Sequence, residues 1–147
     1  MKMNNNYKVF HKIFHISYIL GLDFKNFAAD FELSEMEAKF MFCIGDGNRK
    51  ISDLICFFKK HKSTITQKIN ALEGKKYIKI ENSSHDKRER KVTLTKKGEL
   101  IHQKMLKVKG EYRKKVFKNL TKKDENQLLE LLEKINLKKK HEKICKK

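Results

Sequence analysis

Residues Lys62 to Gly98 read K-S-T-I-T-Q-K-I-N-A-L-E-G-K-K-Y-I-K-I-E-N-S-S-H-D-K-R-E-R-K-V-T-L-T-K-K-G. The apolar period changes within this stretch. Ile65, Ile69 and Leu72 are spaced by four and then three, which places them on one face of a helix. Ser63, Thr66, Gln67 and Asn70 fall on or near the opposite face, with Thr64 on its flank. Ser63 is also a candidate N-cap, because its hydroxyl can accept from a free first-turn amide. Further on, Ile78 and Ile80 alternate with Lys79 and Glu81, and Val92 and Leu94 alternate with Lys91 and Thr93. That is the period of two half-buried strands. The link between them, Asn82 to Glu89, has no apolar side chain and belongs in solvent. Thr95 is placed to cap the next helix.

A helix followed by a hairpin with a basic tip is the layout of a winged helix-turn-helix. In such a layout the helix enters the major groove of DNA and the wing reaches the adjacent minor groove. The fold class expected is therefore mainly α with a small β-hairpin wing.

Here a family resemblance becomes specific. Asp86-Lys87-Arg88, followed by Leu94-Thr95 and Gly98, resembles the wing signature of MarR-type transcription regulators, D-x-R and then L-T-x-x-G. Lys62-Ser63-Thr64-Ile65-Thr66 is similar to the opening of that family's recognition helix, and Tyr77 to Arg88 also resembles the related SarA-type regulators. By motif the resemblance covers about Leu33 to Leu100, and the outer helices follow by layout only. Family members carry a hydrophobic residue near position 60 and an acidic or polar one near 61. The linker Lys59-Lys60-His61-Lys62 departs from that pattern.

The totals point the same way. Lysine and arginine number 36 against 18 acidic residues in 147, a formal net charge of +18. From Lys59 to Lys97 there are 13 basic and 4 acidic residues, so the excess concentrates where the motif lies. A surplus of this size suits a polyanionic partner. No apolar run approaches the ~20 residues needed to cross a bilayer, and no secretory cleavage site is evident at the N-terminus. Three cysteines without metal-like spacing favour a reducing, cytoplasmic setting, here nucleoid-associated.

Along the chain, a first helix is expected up to about Leu22, with Phe10, Ile13, Phe14, Ser17 and Gly21 as one stripe. Tyr7, Ile16, Tyr18, Ile19 and Leu20 widen its apolar surface. Asp23 to Glu32 is expected to add a turn or two of helix and a linker. Ser34 and Glu37 form a capping box for the next helix, which stops at Gly45-Asp46-Gly47-Asn48. Arg49 to Ile51 is a candidate third strand. Ile51, Leu54, Ile55 and Phe58 pattern the first helix of the helix-turn-helix. Ile101, Met105, Val108 and Tyr112 mark a long helix ending near Leu120. Thr121 and Asp124 open a last helix carrying Leu128, Leu129, Leu131, Leu132 and Ile135, and a lysine-rich tail follows from about residue 138.

One domain is expected, with a DNA-binding lobe at 33–98 and dimerisation helices in 1–32 and 99–147. The resemblance implies a homodimeric regulator of transcription, most often a repressor, on an A·T-rich inverted repeat of double-stranded DNA. It also implies a small-molecule effector, for which Tyr7, Phe10, Phe14, Tyr18 and Phe42 are candidate lining residues. The candidate major-groove residues are Ser63, Thr64, Thr66, Gln67 and Asn70. Arg88 is the candidate minor-groove residue, with Asp86 orienting its guanidinium. Lys62, Lys87, Arg90 and Lys91 are candidate phosphate contacts. His11, His15 and His102 do not complete a zinc site. Cys43 and Cys56 lie on apolar faces as packed thiols, so no metal or cofactor is expected. No nucleophile elbow, phosphate-binding glycine loop or paired-carboxylate cleft suggests an enzyme. Two alternatives stay open: a sequence-tolerant architectural nucleic-acid-binding protein, and an interaction module whose end helices bind a different subunit.

Overall fold

The computed structural model describes residues 4–45, 47, 49–82 and 90–135. Helix α1 (Asn5–Asp30) is one continuous element of 26 residues, longer than the break expected near Leu22. It continues because Phe24, Phe27, Ala28 and Phe31 extend the apolar stripe past Asp23. Ala28 is fully buried, and the Phe27 ring stacks 5.9 Å from Phe42. The chain then turns sharply, with Glu32 at a positive φ of 56° and the Leu33 amide donating to the Ala28 carbonyl.

Helix α2 (Glu35–Gly45) opens with the expected box. The Glu37 amide donates to Ser34 Oγ, and the Ser34 amide donates to Glu37 Oε2 at 3.1 Å. Strand β1 (Arg49–Lys50) is the short third strand, held to the end of α2 by Arg49 Nε donating to the Cys43 carbonyl. Helix α3 (Ile51–Phe58) ends on Lys59 in the left-handed region. That tight exit leaves room for helix α4 (Lys62–Gly74) to begin two residues earlier than a Ser63 cap would give. His61, not Ser63, occupies the cap position, and it makes no side-chain cap bond; Ser63 sits inside the first turn.

Strands β2 (Ile78–Asn82) and β3 (Arg90–Leu94) pair antiparallel, with Ile80 opposite Val92 and Glu81 opposite Lys91. The sheet order is β1-β3-β2, so the returning strand of the hairpin is central and is held on both sides. Helix α5 (Lys96–Phe117) is capped by Thr95, whose Oγ1 accepts from the Gly98 amide. It ends three residues short of the expected Leu120. Helix α6 (Lys122–Glu133) has a full capping box between Thr121 and Asp124 and stops before Ile135.

The core gathers Ala38, Phe40, Met41 and Ile44 from α2, Leu54 from α3, and Ile65, Ile69 and Leu72 from α4. Ile78, Val92 and Met105 complete it. Each such large side chain contributes about 1.5–3 kcal/mol by leaving water. The end helices differ. Only Ala28 is buried in α1 and nothing is buried in α6, while Phe10, Phe14, Tyr18, Leu129 and Leu131 are all more than half exposed.

Candidate nucleic-acid interface

Helix α4 rests on the core through Ile65, Ile69 and Leu72. At about 100° per residue, the direction opposite those three passes through Ser63, Gln67, Asn70 and Gly74. Ser63, Gln67 and Asn70 are indeed exposed, as is Lys62 in the first turn. Thr66 lies to one side of this line and Thr64 to the other, both half-buried. Gln67 and Ser63 therefore stand nearest the middle of the outward face, and Asn70 about 45° to one side of it. The face offers hydroxyl and amide groups, which can both donate and accept, on a helix slim enough for a major groove.

Beside it stands the β2–β3 hairpin. Arg90 begins β3 opposite Asn82 and is exposed, while Lys91 is half-buried between Glu81 on one side and Lys50 on the other. Asp86, Lys87 and Arg88, expected at the tip, lie outside the described residues.

Two features hold α4 against the rest of the chain. The first is a meeting of carboxylate and lysines that the sequence did not reveal. Glu37 is 5% exposed, and Lys75, at the C-cap of α4, reaches its Oε2 at 2.9 Å. Lys68, two turns earlier on α4, lies 3.8 Å from its Oε1. Lys75 Nζ also donates to the Glu32 carbonyl at 2.7 Å, where α1 ends. Burial pushes the Glu37 carboxyl up. The Lys75 hydrogen bond, the Ser34 amide and the charges of Lys75 and Lys68 outweigh it and hold the pKa below the ordinary value. From sequence Glu37 is only half of a capping box; no periodicity links it to residues 31 and 38 positions away.

The second is the junction of β2, β3 and α5. The Thr95 amide donates to the Tyr77 carbonyl, and Thr95 Oγ1 donates to the Lys76 carbonyl at 2.7 Å. Lys97 Nζ donates to the Lys75 carbonyl at 3.0 Å and lies over the Tyr77 ring. This gives the L-T-x-x-G pattern a physical meaning. The threonine caps α5 and ties it to the end of α4, and residue 98 has no space for a β-carbon against the Tyr77 carbonyl.

This arrangement of six helices and a three-stranded antiparallel sheet among the described residues has close counterparts among solved structures. AbsC, a MarR family transcriptional regulator from Streptomyces coelicolor, superposes with a TM-score of 0.76 at 17% identity, over 90% of this chain and 93% of that one. The fold is that of the MarR-type winged helix. A MarR-like transcription regulator from Bacillus cereus matches at TM-score 0.73 and 24% identity, over 88% of this chain and 94% of that one. A MarR mutant from E. coli complexed with operator DNA matches at 0.70 and 18%, over 91% and 98%. No protein-family model and no curated protein matches the sequence.

In this MarR-type fold a cleft of about 480 Å³ opens between α1 and α5, lined by Leu20, Phe24, Phe27, Val108 and Tyr112 among others. The Tyr112 hydroxyl donates to Asp23 Oδ2, a bond that raises the tyrosine pKa. Of the aromatic residues expected to line an effector site, Tyr7, Phe10, Phe14, Tyr18 and Phe42 do not line this cleft. Phe42 instead packs against Phe27 and His102. His102 is buried against Gly45, where its ring fills the space a side chain would need. Cys43 is a half-buried thiol. Among the described residues, no three His, Cys, Asp or Glu side chains converge as a metal site, and no helix is long and apolar enough to cross a membrane.

Proposed function

We propose that this chain is a sequence-specific, double-stranded DNA-binding transcription regulator, acting as a homodimeric repressor on an A·T-rich inverted repeat. The observation that carries this reading is the outward face of α4. Ser63, Gln67 and Asn70 are exposed polar side chains on a helix whose other face is locked into the core, beside a basic hairpin. In the division of labour proposed, residues 33–98 hold the DNA while 1–32 and 99–147 join two copies. Ser63, Thr64, Thr66, Gln67 and Asn70 read the major groove. Arg88 enters the minor groove with Asp86 as its orienting partner, and Lys62, Lys87, Arg90 and Lys91 meet phosphates. The neighbour crystallised with operator DNA supports the direction of this reading.

The dimer rests on the apolar side chains of α1, α5 and α6, which a single chain leaves in water. A surface of this extent is a partner surface rather than a solvated one. A second copy sets two α4 helices about one turn of DNA apart, roughly 34 Å, which makes the target a two-fold repeat. The cleft between α1 and α5 offers a site for a small effector that relieves repression, with Tyr112 and Asp23 as its polar end. The setting proposed is cytoplasmic and nucleoid-associated.

Selection of bound duplexes from a random pool, followed by competition against unrelated DNA, tests the reading. A regulator prefers its selected site by at least ~10³ at physiological salt. Equal affinity for all duplexes would instead favour a sequence-tolerant coating protein, an alternative that the net charge of +18 keeps in play.

A further inference from the structure

We infer that Glu37, with Lys75 and Lys68, is a positioning clamp that sets the orientation of α4 for DNA. The inference rests on the DNA-binding reading above and deepens it by assigning specificity to residues that face away from the groove. A single carboxylate gathers three parts of the chain. It closes the capping box of α2 through the Ser34 amide, and it pairs with Lys75 at the C-cap of α4 and Lys68 about two turns earlier. Because both lysines belong to α4, the carboxylate restrains the tilt of that helix as well as its distance from α2. Lys75 also holds the Glu32 carbonyl at the exit of α1, the helix proposed to meet the second copy. The chain from α1 to α4 thus runs through one ammonium group.

Stability is not the natural explanation for this arrangement. Desolvating a charge pair costs about as much as the attraction returns, and apolar replacements of such pairs are often neutral. What a buried carboxylate does supply is a preferred geometry: with ammonium groups at 2.9 Å and 3.8 Å from its two oxygens, it favours one placement of α4 over its neighbours. For a dimer that must land two helices in successive major grooves, the spacing of half-sites is the quantity such a restraint would govern.

The test uses the full-length protein and its selected site. Glu37→Gln preserves the capping box, since glutamine serves at that position, and removes the charge. Affinity for the selected site is expected to fall ~10-fold or more, while affinity for unrelated DNA stays within about twofold. Duplexes with one base pair added or removed between half-sites, which the native protein rejects, should bind the variant almost as well as the original. Should Glu37→Gln fold poorly, Glu37→Gln combined with Lys75→Met leaves no unpaired buried charge and is read in the same way. Unchanged discrimination and unchanged spacing preference in either soluble variant overturn the clamp alone. A parallel loss of specific and unrelated binding reduces Glu37 to a structural role and overturns it too. A native protein that shows no preferred site removes the DNA reading, and the clamp with it.

Discussion

The main-chain carbonyl of Tyr77 occupies the space that a β-carbon on residue 98 would need. Helix α5 starts so close to the beginning of β2 that only glycine fits there, and the Thr95 cap bond to the Gly98 amide holds the approach. Replacing Gly98 by alanine forces either the carbonyl or the helix to move. A loss of about 1–3 kcal/mol is expected, the usual cost of overpacking. Urea titration of the purified variant checks it, and an unchanged midpoint would mean that the junction yields easily.

Acid should act through Glu37. Its carboxyl is held below the ordinary value near 4.5, so the folded state favours the ionised form. That contribution is fully present above the ordinary value and is lost as pH falls through the lower, folded-state value. The difference in urea midpoint between the native protein and Glu37→Gln should be flat from neutrality down to about 4.5. Below that, the native protein should lose ground to the variant. A constant difference down to the acid unfolding limit would show that the lysines do not lower the carboxyl's pKa in the folded state.

Base contact and phosphate contact separate by salt. Gln67→Ala should weaken binding to the selected site by about 1–3 kcal/mol without altering the slope of log affinity against log salt. Lys62→Ala should weaken all duplexes alike and reduce that slope by about one. Fluorescence titrations at several salt concentrations distinguish the two. Identical behaviour of the variants would remove α4 as the reading element.

The end helices predict an assembly. Leu128 and Leu132 share one face of α6 and are exposed in the single chain. Glutamate at both positions should convert a two-chain particle into a one-chain particle by sedimentation equilibrium, because charge at the centre of an apolar interface is left unpaired. A variant that remains two-chain would exclude α6 from the contact.

Much of this was legible in the residues because much of it is local. Capping boxes span three residues, and both Ser34/Glu37 and Thr121/Asp124 form as their spacing predicts. The alternation around Ile80 and Val92 gives the hairpin and its register, since a shift of one residue would turn the apolar side chains into water. What escaped has a physical reason in each case. Helix α1 runs past Asp23 because Phe24 and Phe27 pack on Phe42 and Asp23 itself finds a partner in the Tyr112 hydroxyl of α5. Ser63 lost the cap position to His61 because Lys59 takes a left-handed turn that no residue type there announces. The meeting of Glu37 with Lys68 and Lys75 depends on how α2 and α4 cross, a property of the assembled core.

Helix α5 carries a mechanical consequence. Its 22 residues make a rod of about 33 Å, anchored at one end by Tyr77, Thr95 and Gly98. Pivoting such a lever by ~5° sweeps its far end through ~3 Å, close to the rise of about 3.4 Å between neighbouring base pairs. Met105 and His102, buried on the near half of the lever, move by only about a third of that distance, so a small repacking around them is enough to shift the far end of α5 by about one base-pair step.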